Sequence, residues 1–325
     1  MFPPFEPHRW LKGAHAQTIA AAYLPGGRAP YRARQHRVPV GGGDEVVLHD
    51  DCPDRWQAGD RTVLMVHGLG GCHQSAYMVR IARKLNERGV RAFRMDQRGC
   101  GAGLRLARRP YHAGRTEDVA AALEYIERQC PGSPTTLIGF SIGGNVSLKL
   151  AGEVGSGACG GLDSVIAVCP PVDLEACSRR IEHPSNRLYQ RHLLSALYKL
   201  NQQRQRLVAG AAVIQNGRRP CSLRELDDQL IAPTWDFAGV ADYYQRSSAM
   251  HYLSQVRIPT RVLAAGDDPL VPVEQYGRTE LSSQVRLHLT DHGGHLGFVG
   301  RVGRDPDRRW MDWRVLQWAL EPDRD

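Results

Sequence analysis

One short stretch of the chain decides its fold, and it reads Thr135-Thr136-Leu137-Ile138-Gly139-Phe140-Ser141-Ile142-Gly143. The apolar run Thr135–Phe140 predicts a buried strand, and Ile142–Val154 has the character of a helix. The G-x-S-x-G pattern by itself is weak, because a glycine-rich chain of this length produces it by chance in roughly one sequence in five. Its position between a strand and a helix is informative, since the two glycines allow a sharp turn around Ser141.

Outward from this turn, apolar runs alternate with helical patterns. The further predicted strands are Thr62–Val66, Val90–Met95, Ser164–Cys169, Thr260–Ala265 and Gln284–Leu289, and the further helices are Gln74–Arg88, Thr116–Gln129 and Trp310–Leu320. We expect Thr116 to cap its helix. A glycine-rich turn between His36–Val40 and Glu45–Asp50 predicts a hairpin. The alternation predicts an α/β protein with a mostly parallel central sheet and helices on both faces.

The alternation is interrupted once, between Val172 and Val256, where the pattern is helical and rich in Arg, Gln, Leu and Tyr. We therefore predict three segments. Residues 1–171 form an amino-terminal arm, with a short helix near residues 15–23, and the first part of the core. Residues 172–256 form a helical cap insertion, and residues 257–325 complete the core. Ligands bind at the carboxyl edge of open α/β sheets, so we expect the cap to cover that edge.

Candidate catalytic residues follow three of the predicted strands. A serine hydroxyl is a weak nucleophile until a base takes its proton, so Ser141 requires a partner. A late acid followed by a late histidine is one known chain order of a serine triad. We favour His295 over His292, because the loop needs length after its strand to fold over the serine. We favour Asp268 over Asp267, because the acid commonly precedes a short turn that ends in proline.

Two backbone amides are candidates for holding the negative oxygen that develops during acyl transfer. The segment His67-Gly68-Leu69-Gly70-Gly71 follows a predicted strand, which points to the Leu69 N–H, although a plain tight turn would look the same. The Ile142 N–H directly follows the nucleophile and would be the second donor. The turn Asp96–Gly101 could contact substrate or be purely structural.

The remaining composition argues against several classes of protein. The formal net charge of +8 is scattered, with no long basic run, so we expect no nucleic-acid partner. His288, His292 and His295 lack metal-site spacing and no phosphate-loop motif occurs, so we expect neither metal nor cofactor. The eight cysteines form no C-x-x-C pair, which favours free thiols. Without a signal peptide or an 18-residue apolar stretch, we expect a cytoplasmic monomer or homodimer with no transmembrane segment.

Several stretches resemble one branch of the α/β-hydrolase superfamily, the YheT-like hydrolases, akin to the eukaryotic abhydrolase-domain proteins 1, 3 and 15. They are Trp10–Ile19, His67–Gly71 with Ser75 and Tyr77, Gly139–Asn145, Thr234–Phe237 with Asp242–Tyr244 and Ser247–Ser248, Asp267–Pro269 and His292–Phe298. The resemblance implies a serine esterase that works through an acyl-enzyme, with Ser141 as nucleophile, His295 as base and Asp268 as orienting acid.

The same resemblance implies a small ester as substrate, and lipid acyl chains are favoured among the eukaryotic relatives. Those relatives carry an amino-terminal membrane anchor, which we do not expect here. The same triad would also suit a thioesterase or an amidase. A third alternative is a ligand-binding protein of this fold without catalysis, although such a protein would have no need of a complete triad.

Overall fold

The computed structural model describes residues 3–24 and 31–322, with the exception of the side chain at position 216. Within these residues one sheet contains the strands β1 (Arg34–Pro39), β2 (Glu45–Asp51), β3 (Thr62–Val66), β4 (Arg91–Asp96), β5 (Thr135–Phe140), β6 (Leu162–Val168), β7 (Thr260–Ala265) and β8 (Val285–Thr290). The helices are α1 (Ala14–Tyr23), α2 (Ala76–Asn86), α3 (Thr116–Gln129), α4 (Ile142–Val154), α5 (Leu174–Glu182), α6 (Arg187–Leu207), α7 (Leu223–Leu226), α8 (Ala232–Thr234), α9 (Val240–Ser247), α10 (Glu274–Gly277) and α11 (Trp310–Leu320).

The sheet has the strand order β1-β2-β4-β3-β5-β6-β7-β8. The six strands from β4 to β8 in this order run parallel, while β1 and β2 form the predicted antiparallel hairpin at one edge. Every residue of β3, β5 and β7 is buried, as expected when helices cover both faces of a parallel sheet. The predicted α/β fold with a mostly parallel sheet is confirmed.

The expected cap of α3 is wrong by one residue. Arg115 occupies the position before the helix and makes no side-chain capping bond, while Thr116 is the first helical residue. The Thr116 hydroxyl instead donates to the Glu153 carboxylate of α4, at 2.6 Å. A bond to a neighbouring helix has therefore replaced the local capping bond that the sequence predicted.

A run of helices, α5 to α9, separates β6 from β7. Its buried side chains, among them Leu194, Leu226 and Tyr243, form a separate apolar cluster. Leu69 and Ile142 of the core pack against this cluster, and these two residues follow β3 and β5. The helical segment therefore meets the core at the carboxyl ends of the central strands.

None of the eight cysteines forms a disulfide, and five of them are buried. No helix among the described residues has the length and apolar character needed to cross a lipid bilayer.

Candidate active site

Ser141 occupies the turn that joins β5 to α4, with φ 51° and ψ −121°. This is an unfavourable backbone conformation for a residue with a side chain, so the surrounding packing must hold it. The flanking glycines make that packing possible. A Cβ atom added at Gly139 would lie 2.3 Å from the Gly143 carbonyl oxygen, and one added at Gly143 would lie 2.5 Å from that of Val66. The turn thus presents the Ser141 hydroxyl at the sheet edge.

His295 joins Ser141 to Asp268. Its Nε2 lies 2.9 Å from the Ser141 Oγ, and its Nδ1 lies 2.8 Å from the Asp268 Oδ2. The other carboxylate oxygen of Asp268 accepts hydrogen bonds from the backbone N–H groups of Leu270 and Val271, at 2.8 and 3.0 Å. Asp268 is buried, so its carboxylate is held in one orientation toward the imidazole. The structure therefore brings the three predicted side chains into one hydrogen-bonded chain.

The two competing candidates form a different pair. His292 is exposed, and its Nδ1 lies 3.3 Å from the Asp267 carboxylate. Asp267 also accepts a hydrogen bond from the Gly294 backbone N–H, at 2.9 Å. Asp267 and His292 thus brace the loop that carries His295, and neither is hydrogen-bonded to Ser141.

The Leu69 and Ile142 residues line the same cavity as Ser141. Within the described ranges, the backbone N–H of neither residue has a hydrogen-bond partner. Two tyrosines hold the Leu69 loop on either side. Tyr77 belongs to a stretch that resembles the YheT-like branch, but no role in the site was predicted for it, and Tyr111 was not predicted at all. The Tyr77 hydroxyl accepts from the Gly68 N–H at 2.9 Å, and the Tyr111 hydroxyl accepts from the Gly70 N–H at 2.8 Å. The loop geometry around Leu69 therefore depends on distant side chains.

Replacing Tyr77 with phenylalanine should lower kcat for ester hydrolysis by about tenfold, because the Gly68 N–H loses its partner and the adjoining Leu69 amide becomes less well placed. KM should change less than kcat. Steady-state kinetics on a chromogenic ester measures both. The control is Tyr125→Phe, which removes a 3.0 Å bond to His36 in the edge strand β1 and should leave kcat unchanged. Unchanged kcat in Tyr77→Phe would show that the loop does not need this bond.

The amino-terminal arm also contributes to the site, which the sequence did not predict. The hydroxyl of Thr18 in α1 accepts a hydrogen bond from the His295 backbone N–H, at 2.9 Å. Next to it, the fully buried Gln17 accepts from the Val299 N–H and donates to the Val299 carbonyl. These bonds fix both ends of the segment that carries the histidine.

A cavity of ≈ 470 Å³ opens onto Ser141 and His295 and extends beneath the helical segment. Much of its wall is apolar and comes from α5, α6 and the α7 region, including Leu174, Leu193 and Leu230. Asp227 also lines it, and burial raises the pKa of this carboxyl to about 7. Such a largely apolar cavity next to a reactive hydroxyl suits a substrate with a hydrocarbon part.

The turn that follows β4 is structural in large part. Arg98 is buried, and its guanidinium donates to the carboxylates of Asp44 and Asp118, both at 2.6 Å. Arg98 and Gly99 also line the cavity, so the turn forms part of its wall.

Among the described residues, two groups of side chains lie close enough to share a cation. One is Cys169 with the Asp268 and His295 pair. The other is the buried cluster of His49, His73 and Asp96. In that cluster Asp96 already accepts hydrogen bonds from both imidazoles, at 2.9 and 2.8 Å. It also accepts from the backbone amides of His73 and Ala102. These donors satisfy the carboxylate without a metal.

Comparison with known proteins identifies the family. The family model of the alpha/beta hydrolase fold matches residues 61–301. The putative esterase YheT of Escherichia coli (strain K12) is 33% identical over 322 residues, covering 97% of this chain and 92% of the relative. Phospholipase ABHD3 of Mus musculus is 25% identical over 306 residues, covering 91% of this chain and 73% of the relative.

Among solved structures, Est1E from Butyrivibrio proteoclasticus with bound ferulic acid superposes with a TM-score of 0.59. It is 14% identical and covers 88% of this chain and 98% of that one, a likeness that shows the fold alone. The family match reaches from β3 to beyond the His295 loop. The chain therefore belongs to the α/β-hydrolase family, in the branch that contains YheT.

Proposed function

We propose that this protein is a serine hydrolase that cleaves carboxylic esters through an acyl-enzyme. The observation that carries the proposal is the position of His295, whose two ring nitrogens reach the Ser141 hydroxyl at 2.9 Å and the Asp268 carboxylate at 2.8 Å. A nucleophile, a base and a group that orients the base are the parts that this chemistry requires.

In the proposed reaction, His295 takes the proton of Ser141 while the serine oxygen attacks the ester carbonyl. The N–H groups of Leu69 and Ile142 donate to the oxygen that becomes negative. His295 then gives its proton to the departing alcohol, leaving the acyl group on Ser141. A water molecule, deprotonated by the same imidazole, attacks the acyl-enzyme; the acid leaves, and the imidazolium returns the proton to the Ser141 oxygen. Asp268 stays ionised and keeps the imidazole proton on Nδ1.

The helical segment at residues 172–256 acts in this proposal as a cap over the site. Support comes from its contact with the core at Leu69 and Ile142, the two residues that supply the oxyanion donors. The apolar cavity beneath it suits an acyl chain, and one relative in the comparison is named a phospholipase. We therefore propose esters with a hydrocarbon acyl part, lipid-like esters included, as the substrate class.

The test is to label the intact protein with a fluorophosphonate and to locate the adduct by peptide mass spectrometry. We expect one adduct per folded chain, on Ser141, and turnover of p-nitrophenyl esters that rises with acyl length as the cavity fills. Heat-denatured protein is the control and should not be labelled. An adduct on another serine, or the absence of both labelling and turnover, would overturn the proposal.

A further inference from the structure

The inward face of α6 changes character along its length. Leu193, Leu197 and Leu200 line the cavity, and so do Asn201 and Arg204. Spacings of three, four and seven residues place these side chains on one face of the helix. With a rise of about 1.5 Å per residue, the apolar part and the polar end together span about 16 Å. Along α6, the cavity is thus lined by hydrocarbon side chains from Leu193 to Leu200 and by polar groups at Asn201 and Arg204.

The polar end lies away from the triad acid. At the start of α6, the Asn186 side chain donates to the Pro269 carbonyl, directly after Asp268 in the sequence. Toward its other end, Arg204 reaches the loop that follows β4, where it donates to the carbonyls of Ala107 and Arg108. A linear substrate bound along α6 would therefore place its two ends in different surroundings.

Arg204 is a buried cation without an anionic partner. The residue is 2% exposed, and in the described part of the chain no carboxylate oxygen lies within 4.0 Å of its guanidinium. Nη2 donates to the two carbonyls at 3.1 and 2.8 Å, while Nε has no hydrogen-bond partner within the described ranges. Burial lowers the pKa of this guanidinium. The neighbouring Arg98, by contrast, is bonded to two carboxylates. A buried charge without a counter-ion is costly unless a ligand supplies one.

Asn201 lies one helical turn earlier and is a second buried polar side chain on this face of α6. It is 3% exposed, and neither its Nδ2 nor its Oδ1 has a hydrogen-bond partner among the described residues. Buried amides are ordinarily satisfied on both atoms. Asp227, the acidic residue that also lines the cavity, is held by the Tyr244 hydroxyl at 2.8 Å and forms no ion pair with Arg204. Among the described residues, Arg204 thus lacks a counter-ion and Asn201 lacks hydrogen-bond partners, and together they form a site for a ligand that accepts hydrogen bonds and carries negative charge.

We propose that Arg204 and Asn201 bind an oxyanion, a carboxylate or a phosphate, at the far end of the substrate's acyl chain. The three leucines contact the methylenes between this anion and the ester that faces Ser141. The preferred substrates are then esters of acids with a second, charged terminus. This inference rests on the proposed function, because Ser141 must attack the ester at the other end of the cavity.

The experiment compares p-nitrophenyl esters of matched length that end in a methyl, a carboxylate or a phosphate. Adipic, suberic and sebacic monoesters supply the carboxylate arm, and ω-phosphorylated acids of the same lengths supply the phosphate arm. At one or more lengths, kcat/KM for an anionic ester should exceed that of its methyl-ended match by about tenfold or more. The anionic arm that gives the larger ratio identifies the oxyanion.

Arg204→Gln should lower the kcat/KM ratio of anionic to methyl-ended ester about tenfold, and Arg204→Lys should restore part of this ratio because the charge is kept. Arg206→Gln, an exposed arginine of the same helix, is the matched control and should leave the ratio unchanged. If the wild-type protein gives a kcat/KM ratio of anionic to methyl-ended ester near one at every length, the proposal is overturned. This measurement does not depend on any variant being folded. An equal loss on neutral and anionic esters in Arg204→Gln also overturns it, since this is the result expected if Arg204 only anchors α6 to the Ala107 and Arg108 carbonyls.

Fluorophosphonate labelling separates this inference from the proposed function. If the protein is labelled at Ser141 and hydrolyses neutral esters without preferring anionic ones, only the oxyanion site fails. If labelling and hydrolysis of every ester are absent, the proposed function fails first.

Discussion

Replacing Ser141 with alanine should lower kcat by about 10⁶-fold and abolish fluorophosphonate labelling, because the proposed acyl-enzyme forms on the Ser141 hydroxyl. The fold should survive, since alanine removes one oxygen at a position that is only partly buried. The residual rate should still exceed that in water by roughly 10³-fold, from the Leu69 and Ile142 amides and from binding. This residual rate can be measured by following the turnover of a p-nitrophenyl ester over hours at high enzyme concentration.

The matched control for this variant is Ser147→Ala in the same helix. Ser147 is fully buried and its hydroxyl donates to the Gly143 carbonyl at 2.8 Å, away from the cavity. This variant should keep its labelling and its turnover, with some loss of thermal stability. If Ser141→Ala retained strong labelling or near-normal turnover, the nucleophile would be a different residue.

Replacing Asp268 with asparagine should lower kcat by about 10⁴-fold at neutral pH with little effect on KM. The remaining oxygen of the side chain would still accept the Leu270 and Val271 amides, so the new NH₂ group would face the Nδ1 of His295. Nδ1 would then have to accept a hydrogen bond, and the imidazole proton would move to Nε2, where it points at Ser141. The base would be in the wrong tautomer to take the serine proton.

The neighbouring acid provides the control for this prediction. Asp267→Asn removes charge from the pair with His292 but leaves the Asp268 contact to His295 in place. We expect less than about a tenfold change in kcat. Steady-state kinetics of both variants distinguishes the two acids, and circular dichroism checks that each variant is folded. A large loss in Asp267→Asn with a small loss in Asp268→Asn would assign the orienting role to Asp267.

The elements that the sequence predicted best are those whose signal is local. Thr135–Phe140, Thr62–Val66 and Thr260–Ala265 have the predicted bounds, because each is a fully buried apolar run that polar or glycine-containing turns delimit. The turn at Ser141 was equally predictable, since a Cβ atom at Gly139 or Gly143 would lie only 2.3 or 2.5 Å from a backbone carbonyl oxygen and the sequence has glycine at both positions. In these stretches, local chemistry and the tertiary fold favour the same structure.

What the sequence did not predict depends on contacts between distant segments. The bonds from Tyr77 and Tyr111 to the Leu69 loop bridge 9 and 41 residues. The family pattern includes Tyr77 but assigns it no role in the site, and Tyr111 lies in no pattern that the sequence shows. The polar end of the cavity was equally unpredictable from the sequence. The spacing in α6 shows which residues share a face of the helix, but not which face turns toward the core. Asn201 and Arg204 therefore read as ordinary polar residues of a surface helix until the cavity is seen.

The bond between Thr18 and His295 spans 277 residues of sequence and has a consequence for biosynthesis. A ribosome that has released Ser141 and most of the sheet has not yet produced the histidine, nor the Val299 segment that pairs with Gln17. Domains fold as units during synthesis, beginning with their amino-terminal parts. The nascent chain should therefore remain without hydrolytic activity until the segment that carries His295 and Val299 has been synthesised and can meet the helix Ala14–Tyr23.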